Sequence, residues 1–531
     1  MEYEEILRHL GDFGPFQRRT ALLLVLGTIQ NGMHVAVMTF IGAIPNHHCL
    51  VAETGFSAFN TTWPEALNLT IPMEEVDGTW RLSSCRRYSS GAISMNFSTT
   101  GCPEDWQQGN STAVDCNREW GQVNRSTTSC TEGWEYDRSQ YHSSVVMQHD
   151  LVCERAWLRE LAQSIFMAGV ATGGFVSGVL SDRYGRHRTL LLCVLLLVTC
   201  GTGLAFTTNL AVFIALRFVL GAAENGLQYT TMVTGMETIG ISWRVAFGVC
   251  ASLAPSGGYV LLGILAYVIR EWWILQLVIT SPGVLSLIAW WFIPESPRWL
   301  LLNNKCIEGS TARRGSTDEV DGIPGDSKRN YNLLDLVRTP NIRKITVVMI
   351  IVSLNTVCIY IGLLFGTSQL AGSHYLNFIL GACVEAVGML TAGVTMRRWG
   401  RKRSTVGFSL LAGVSCVATA AVPSGLGHVT TALATVGRFG ASSTFAILDI
   451  YCTELFPTVI RHMGVGTTIM VSRVGGIVAP FLSLLGNVWR PLPLLTLGVL
   501  SCVTTMVVTV LPETHGVPLP NTLQDSENIR R

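Results

Sequence analysis

Charge is what this 531-residue chain has least of. Asp, Glu, Lys and Arg together make up 14% of it, where soluble domains carry about 25%, so an ordinary soluble fold is excluded. Neither sign dominates, since the net charge is +1. That excludes a nucleic-acid partner, which would call for a basic face. The stretch MEYEEILRHLGDFGPFQRR at 1–19 starts acidic and lacks the basic head of a cleaved signal peptide. The first apolar run is therefore expected to stay in place. There is no G-x-x-x-x-G-K-[ST] loop, which argues against a nucleotide-driven pump. Nor is there a nucleophile–base set or a metal-ligand spacing, so no enzyme activity, cofactor or metal is expected.

What the chain has instead is 48% hydrophobic residues, gathered into long runs with the charges between them. About 20 apolar residues suffice to cross the hydrocarbon core as a helix. Such runs fall near 20–43, 159–180, 189–208, 210–235, 245–268 and 272–293, then near 344–366, 374–396, 404–422, 428–450, 463–486 and 492–511. Twelve transmembrane helices follow, and with them an all-α membrane protein. Arginines and lysines crowd alternate loops: Arg18 and Arg19, Arg183, Arg186 and Arg188, Arg244, the 298–343 segment, Arg397 to Arg403, and Arg461. Loops of that kind face the cytoplasm, so both termini are expected there and the protein is expected to be multi-pass in the plasma membrane.

The long 46–158 loop then lies outside. It carries N-x-S/T sequons at Asn60, Asn68, Asn96, Asn110 and Asn124. It also holds Cys49, Cys85, Cys102, Cys116, Cys130 and Cys153, an even set in an oxidising compartment. Three disulfides are expected, with fifteen connectivities open. The other cysteines read mainly as small buried residues.

The two sets of six spans repeat one another. Gly178, Asp182, Arg183, Gly185 and Arg186 follow the second span, and Gly393, Gly400, Arg401 and Lys402 follow the eighth. Glu237 and Arg244 straddle the end of the fourth span as Glu454 and Arg461 straddle the end of the tenth, while PESP at 294–297 and PET at 512–514 close each half. Two related six-helix halves are the build of carriers that rock about a midplane site. The glycines suit tight corners, and Asp182 is expected to pair with a charge on the other half.

Several longer stretches carry a resemblance: GDFGPFQ at 11–17, AIPNHHC at 43–49, the six-cysteine loop, SDRYGRH at 181–187, WWFIPESPRWL at 290–300, TELFPTVIRHMGVG at 453–466 and LPETHGVPLPNTLQD at 511–525. With these the chain resembles the organic ion transporters of solute carrier family 22 over essentially its whole length. The resemblance implies the major facilitator fold in two six-helix halves, a large extracellular loop after helix 1, and alternating access to organic anions, cations or zwitterions. It also implies that Arg473 sides with anions and zwitterions, because cation members carry Asp at that place. His34 matches an anion-transporter position, whereas Asn31 with Gly32 resembles the carnitine subgroup. Tyr360 and Phe445 fall on family cavity positions. Departures are Met389, Ser353 and a short 298–343 segment.

The residues speak for themselves at the midplane as well. At 1.5 Å per residue Arg473 lies roughly 15 Å into its helix, and His34, Glu224 and Glu385 are equally central. A charge there costs about 3 kcal/mol on insertion scales and cannot snorkel, so each is expected to face inward and be paired. Arg473 offers a fork to a carboxylate or sulfonate; otherwise it pairs structurally with Glu385 or Glu224. Asp449 is expected nearer the cytoplasmic end, in reach of water. Tyr229 and Tyr259 join the cavity by helix phase alone.

The expected domains are a cytoplasmic N-terminus (1–19), an N-terminal half (20–297), a cytoplasmic linker (298–343), a C-terminal half (344–511) and a cytoplasmic tail (512–531). The expected function is carriage of small organic anions or zwitterions by a monomer embedded in lipid. Set against it are a cation/carnitine or proton-coupled carrier using Glu224 and Glu385, and a transport-dead receptor or scaffold.

Overall fold

The computed structural model describes residues 13–51, 70–76, 79–88, 126–296, 299–300, 335–366, 370–423, 425–517 and 520. The five sequons, Cys102, Cys116 and most of the linker lie outside those residues. The chain divides into two compact units, Ile44–Ala156 and the remainder.

The larger unit is helical. Its first six membrane helices are α1 (Pro15–Ala36, continued by Met38–Ile41), α2 (Trp157–Tyr184), α3 (Arg186–Phe206), α4 (Leu210–Thr238), α5 (Ile241–Val268) and α6, which runs in two pieces, Trp272–Thr280 and Pro282–Trp290. The break in α6 falls at Pro282, whose ring leaves no N–H to continue the ladder. The second six are α7 (Pro340–Gly366), α8 (His374–Trp399), α9 (Arg401–Thr419), α10 (Gly427–Leu455), α11 (Arg461–Leu482) and α12 (Leu492–Val508).

Among the described residues, nine of these are long and apolar enough to cross a membrane on those criteria alone. The other three fall short for visible reasons. α9 opens on Arg401, Lys402 and Arg403, α10 carries Arg438 and Asp449 among Gly, Ser and Thr, and α12 has 17 residues. Helices also outrun the apolar stretches: α1 starts at Pro15 rather than 20, and α10 ends at Leu455 rather than 450. Apolarity marks where the hydrocarbon begins, while backbone hydrogen bonding continues through Gln17, Arg18 and Arg19 into the headgroup depth.

The helices pack in the same pairs in each half: α1 on α5 as α7 on α11, α2 on α4 as α8 on α10, and α3 on α6 as α9 on α12. Small residues set the distances. A Cβ on Gly32 would lie 2.1 Å from the Pro255 carbonyl oxygen of α5, and one on Gly475 would lie 2.2 Å from that of Leu354 on α7. Both crossings therefore demand glycine.

The halves meet through α2 with α11 and α5 with α8. Ser164 Oγ donates to the Ile477 carbonyl at 2.7 Å, and Ser256 Oγ donates to Glu385 at 3.3 Å. At the same end, Phe40 stacks on Tyr375 (5.5 Å) and meets Phe378 edge-on (5.0 Å), while Tyr259 meets Phe378 and Tyr267 meets Tyr375 edge-on. An aromatic seam thus joins α1, α5 and α8.

Among its described residues, the smaller unit holds three two-stranded antiparallel ladders. β1 (His47–Cys49) pairs with β6 (Trp134–Tyr136), β2 (Met73–Val76) with β3 (Thr79–Leu82), and β4 (Arg86–Tyr88) with β5 (Thr127–Ser129). Ladders of three or four residues bury little, and covalent staples take over that role. Cys49 is bonded to Cys130 and Cys85 to Cys153, which fixes two of the three expected pairs.

Candidate functional site

Two corners frame the bundle on one side, and they are copies. Between α2 and α3 the chain turns at Gly185, with φ of 100°. Its hypothetical Cβ would lie 2.2 Å from Glu295 Oε2, so only glycine fits both the backbone and the space. Glu295 accepts from the backbone N–H of Arg186 at 2.8 Å and of His187 at 3.2 Å. The Arg186 side chain reaches Glu237 on α4 through two bonds of 3.1 and 3.0 Å. In the other half Gly400 has φ of 88°, Glu513 accepts from Arg401 N (2.8 Å) and Lys402 N (3.2 Å), and Arg401 binds Glu454 on α10 at 2.8 Å. Burial alone would push the Glu513 carboxyl up, but the backbone N–H groups of Arg401, His515, Lys402 and Thr514 together hold it below its usual range.

Each remaining motif residue finds a place here. Arg244 donates to the Ile239 carbonyl at the end of α4, and Arg461 donates to the Phe456 carbonyl at the end of α10, both at 3.2 Å. Arg183 is exposed and lies over the Tyr184 ring, while a Cβ on Gly178 would stand in ordinary contact with Tyr229, 3.6 Å from its ring. Asp182 departs from expectation. Its carboxylate meets Arg186 at 3.1 Å on its own corner, because the turn at Gly185 folds the first residue of α3 back against the end of α2; among the described residues its ion pair is with Arg186 and not with the other half.

Inside the bundle, the described polar residues that the sequence singled out fall into three groups. In the first, Glu224 of α4 is fully buried; its Oε2 accepts from Asn31 of α1 at 3.2 Å, and its Oε1 stands 3.8 Å from His34 Nε2. In the second, Glu385 of α8 accepts from Arg438 (2.9 Å), Tyr360 Oη (2.6 Å) and Ser256, while Tyr360 stacks on Phe445 at 5.2 Å. The third is a pocket among α7, α10 and α11, lined by Thr356, Phe445, Asp449, Thr468 and Ser472 among others. Asp449 is exposed there, and its charge and that of half-buried Arg473 act on each other.

Sequence reasoning offered Glu385 and Glu224 as structural partners for Arg473. The structure gives Glu385 to Arg438 and sets Glu224 against Asn31 and His34, leaving Asp449 opposite Arg473. Missed altogether were two fully buried arginines. Arg438 is one, and Arg217 is the other, bonded to Gln163 at 2.5 Å with its guanidinium 4.2 Å over the Phe166 ring. The signal was available, because an Arg-Phe pair (217–218 and 438–439) recurs within α4 and α10. Tyr259 is buried and Tyr229 is exposed.

Comparison with known proteins adds the following. Residues 122–524 match the family described as sugar (and other) transporters. Solute carrier family 22 member 21 of Mus musculus is 34% identical, with 100% of this chain and 94% of the relative aligned. Organic cation/carnitine transporter 2 of Rattus norvegicus is also 34% identical, over 100% and 94%. The organic cation transporter protein of Drosophila melanogaster is 32% identical, over 99% and 95%. Among solved structures, the inward-open xylose transporter XylE of E. coli superposes with a TM-score of 0.58 at 15% identity, covering 96% of this chain and 99% of that one.

Proposed function

Because the chain belongs to solute carrier family 22 of the major facilitator superfamily, and so is a multi-pass membrane transporter of small molecules and not an enzyme, we propose that it carries small organic zwitterions by alternating access. The observation that carries this reading is an opposite-signed couple: Asp449 on α10 lines the pocket, and Arg473 on α11, next in sequence to the lining Ser472, acts on it through its charge. A plain anion would gain from Arg473 and be repelled by Asp449, and a plain cation the reverse. A cargo with a carboxylate and an ammonium satisfies both. The Phe445 face, backed by Tyr360, suits an ammonium head. Relatives named organic cation/carnitine transporters agree with a cargo that bears a cationic group.

The positive loops support a plasma-membrane protein with both termini in the cytoplasm. The aromatic seam then closes the extracellular end and the pocket opens inward. On this reading 46–158 is extracellular, with its sequons glycosylated, 298–343 links two rocking halves, and a single chain is the working unit.

The test is uptake of labelled carnitine, an aryl carboxylate and a quaternary ammonium by cells expressing the chain. Arg473→Ala removes a charge-assisted contact worth about 1.5–3 kcal/mol, so carnitine uptake falls by about tenfold or more. Asp449→Asn lowers carnitine uptake and raises that of the aryl carboxylate. Carnitine uptake intact in Arg473→Ala would sink the proposal. Uptake of the quaternary ammonium alone, lost in Asp449→Asn, would favour a cation carrier. No uptake despite normal surface delivery would favour the receptor reading.

A further inference from the structure

Among the described residues, two carboxyl groups lie fully buried between the membrane helices, Glu224 and Glu385, and their surroundings treat them differently. Glu385 has the Arg438 guanidinium at 2.9 Å, so its charge is cancelled in place. Among the described residues, Glu224 has no guanidinium or ammonium against it. Its Oε2 takes one hydrogen bond from Asn31, and its Oε1 has none. The facing group is His34, itself fully buried, with neither ring nitrogen hydrogen-bonded and Nε2 at 3.8 Å.

The helices around this spot bring little else that ionises. α3 contributes the Cys193 thiol, which feels the Glu224 charge. α2 contributes the Val170 carbonyl, which accepts from Asn225. On α4 itself the cation is Arg217, seven residues earlier and so two turns away on the same face, about 10.5 Å along the axis. Its guanidinium is turned to Gln163 and the Phe166 ring, although its charge acts on His34.

A carboxylate buried away from solvent with no countercharge in contact is strongly disfavoured, and taking up a proton removes the conflict. A neutral imidazole beside it is the natural acceptor when that proton leaves. We propose that Glu224 and His34 form a proton-carrying site between α1 and α4, so that the carrier moves a proton together with its organic ion.

In the conformation described, the proton sits on Glu224. When rocking admits water to this spot, the O–H bond breaks and an N–H bond forms at His34 Nε2. The imidazolium then yields that proton to water, leaving a Glu224 carboxylate balanced at longer range by Arg217. Reprotonation from the opposite side completes the cycle, with one proton moved and no other bond changed. The inference rests on the chain being a carrier, not on which organic ion it carries.

Infrared difference spectra of the purified wild-type protein across pH provide a test that needs no cargo. The expected result is a carbonyl stretch from a protonated buried carboxyl that disappears in Glu224→Gln. In His34→Gln the band should remain while the pH at which it ionises moves. A band unchanged in Glu224→Gln overturns the proposal. In vesicles, labelled carnitine should accumulate more under an inward proton gradient than without one. That ratio should fall to about one with a protonophore or in Glu224→Gln. Wild-type uptake that ignores the gradient overturns the coupling. Failure of the zwitterion reading, seen as no carnitine uptake at all, leaves the infrared result to decide.

Discussion

Cutting the Glu385–Arg438 pair from either side should cost different amounts. Both side chains are 1% exposed, and removal of one partner from such a pair leaves the other uncompensated, at about 3–5 kcal/mol. The two remnants differ chemically. In Glu385→Gln the stranded group is Arg438, which cannot shed its charge and has lost its carboxylate, with the Phe378 ring 5.9 Å from its guanidinium. That variant should lose the full 3–5 kcal/mol. In Arg438→Met the stranded group is a carboxyl that can take up a proton and still bond to Tyr360 and Ser256, so the loss should be nearer about 1–3 kcal/mol. Glu385→Gln combined with Arg438→Met should recover most of the larger loss, since no charge remains buried. Thermal unfolding of detergent-solubilised protein, run as a double-mutant cycle, measures all three. Additive losses, with a coupling below about 0.5 kcal/mol, would refute the reasoning.

Other outcomes follow from the corners, the seam and the tail. Gly185→Ala should destabilise by about 1–3 kcal/mol from its backbone conformation alone, and Glu295→Ala in that background should relieve the steric part only; thermal unfolding reads both. Phe378→Ala should loosen the aromatic seam, so that a cysteine at position 164 (Ser164→Cys) reacts faster with an impermeant maleimide; an unchanged rate would mean the seam does not gate. Because the folded Glu513 carboxyl lies below its ordinary 4.5, its contribution is complete above that pH and is lost as pH falls through the lowered value. Melting temperature on acidification should therefore drop less in Glu513→Gln than in wild type.

The fold was legible because bilayer thickness and backbone satisfaction leave few options for a chain of this hydropathy, and because the repeat put Glu237 and Glu454, and Gly185 and Gly400, in register. The interior was only half legible. Asn31, His34 and Glu224 stand together, as do Glu385, Tyr360 and Phe445, since centrality in a span selects residues that must face inward. Their partners were harder to read. Which acid meets which base depends on helix rotation and crossing depth, set by glycines such as Gly32 and Gly475, and spacing along one helix does not report that. Arg217 and Arg438 escaped because they weakened the apolar runs of α4 and α10, when a charge in the middle of such a run was itself the signal.

The pairing of charges across the interior has an electrical meaning. Each charge moved through the full field exchanges about 2.3 kcal/mol per 100 mV. Glu385 with Arg438 and Asp449 with Arg473 are couples of zero net charge, so rocking them through the membrane field does almost no electrical work. An unloaded carrier of this build should reorient at a rate nearly indifferent to voltage. Any current recorded during turnover then reports what is carried, whether the organic ion or the proton, and hardly at all the protein that carries it.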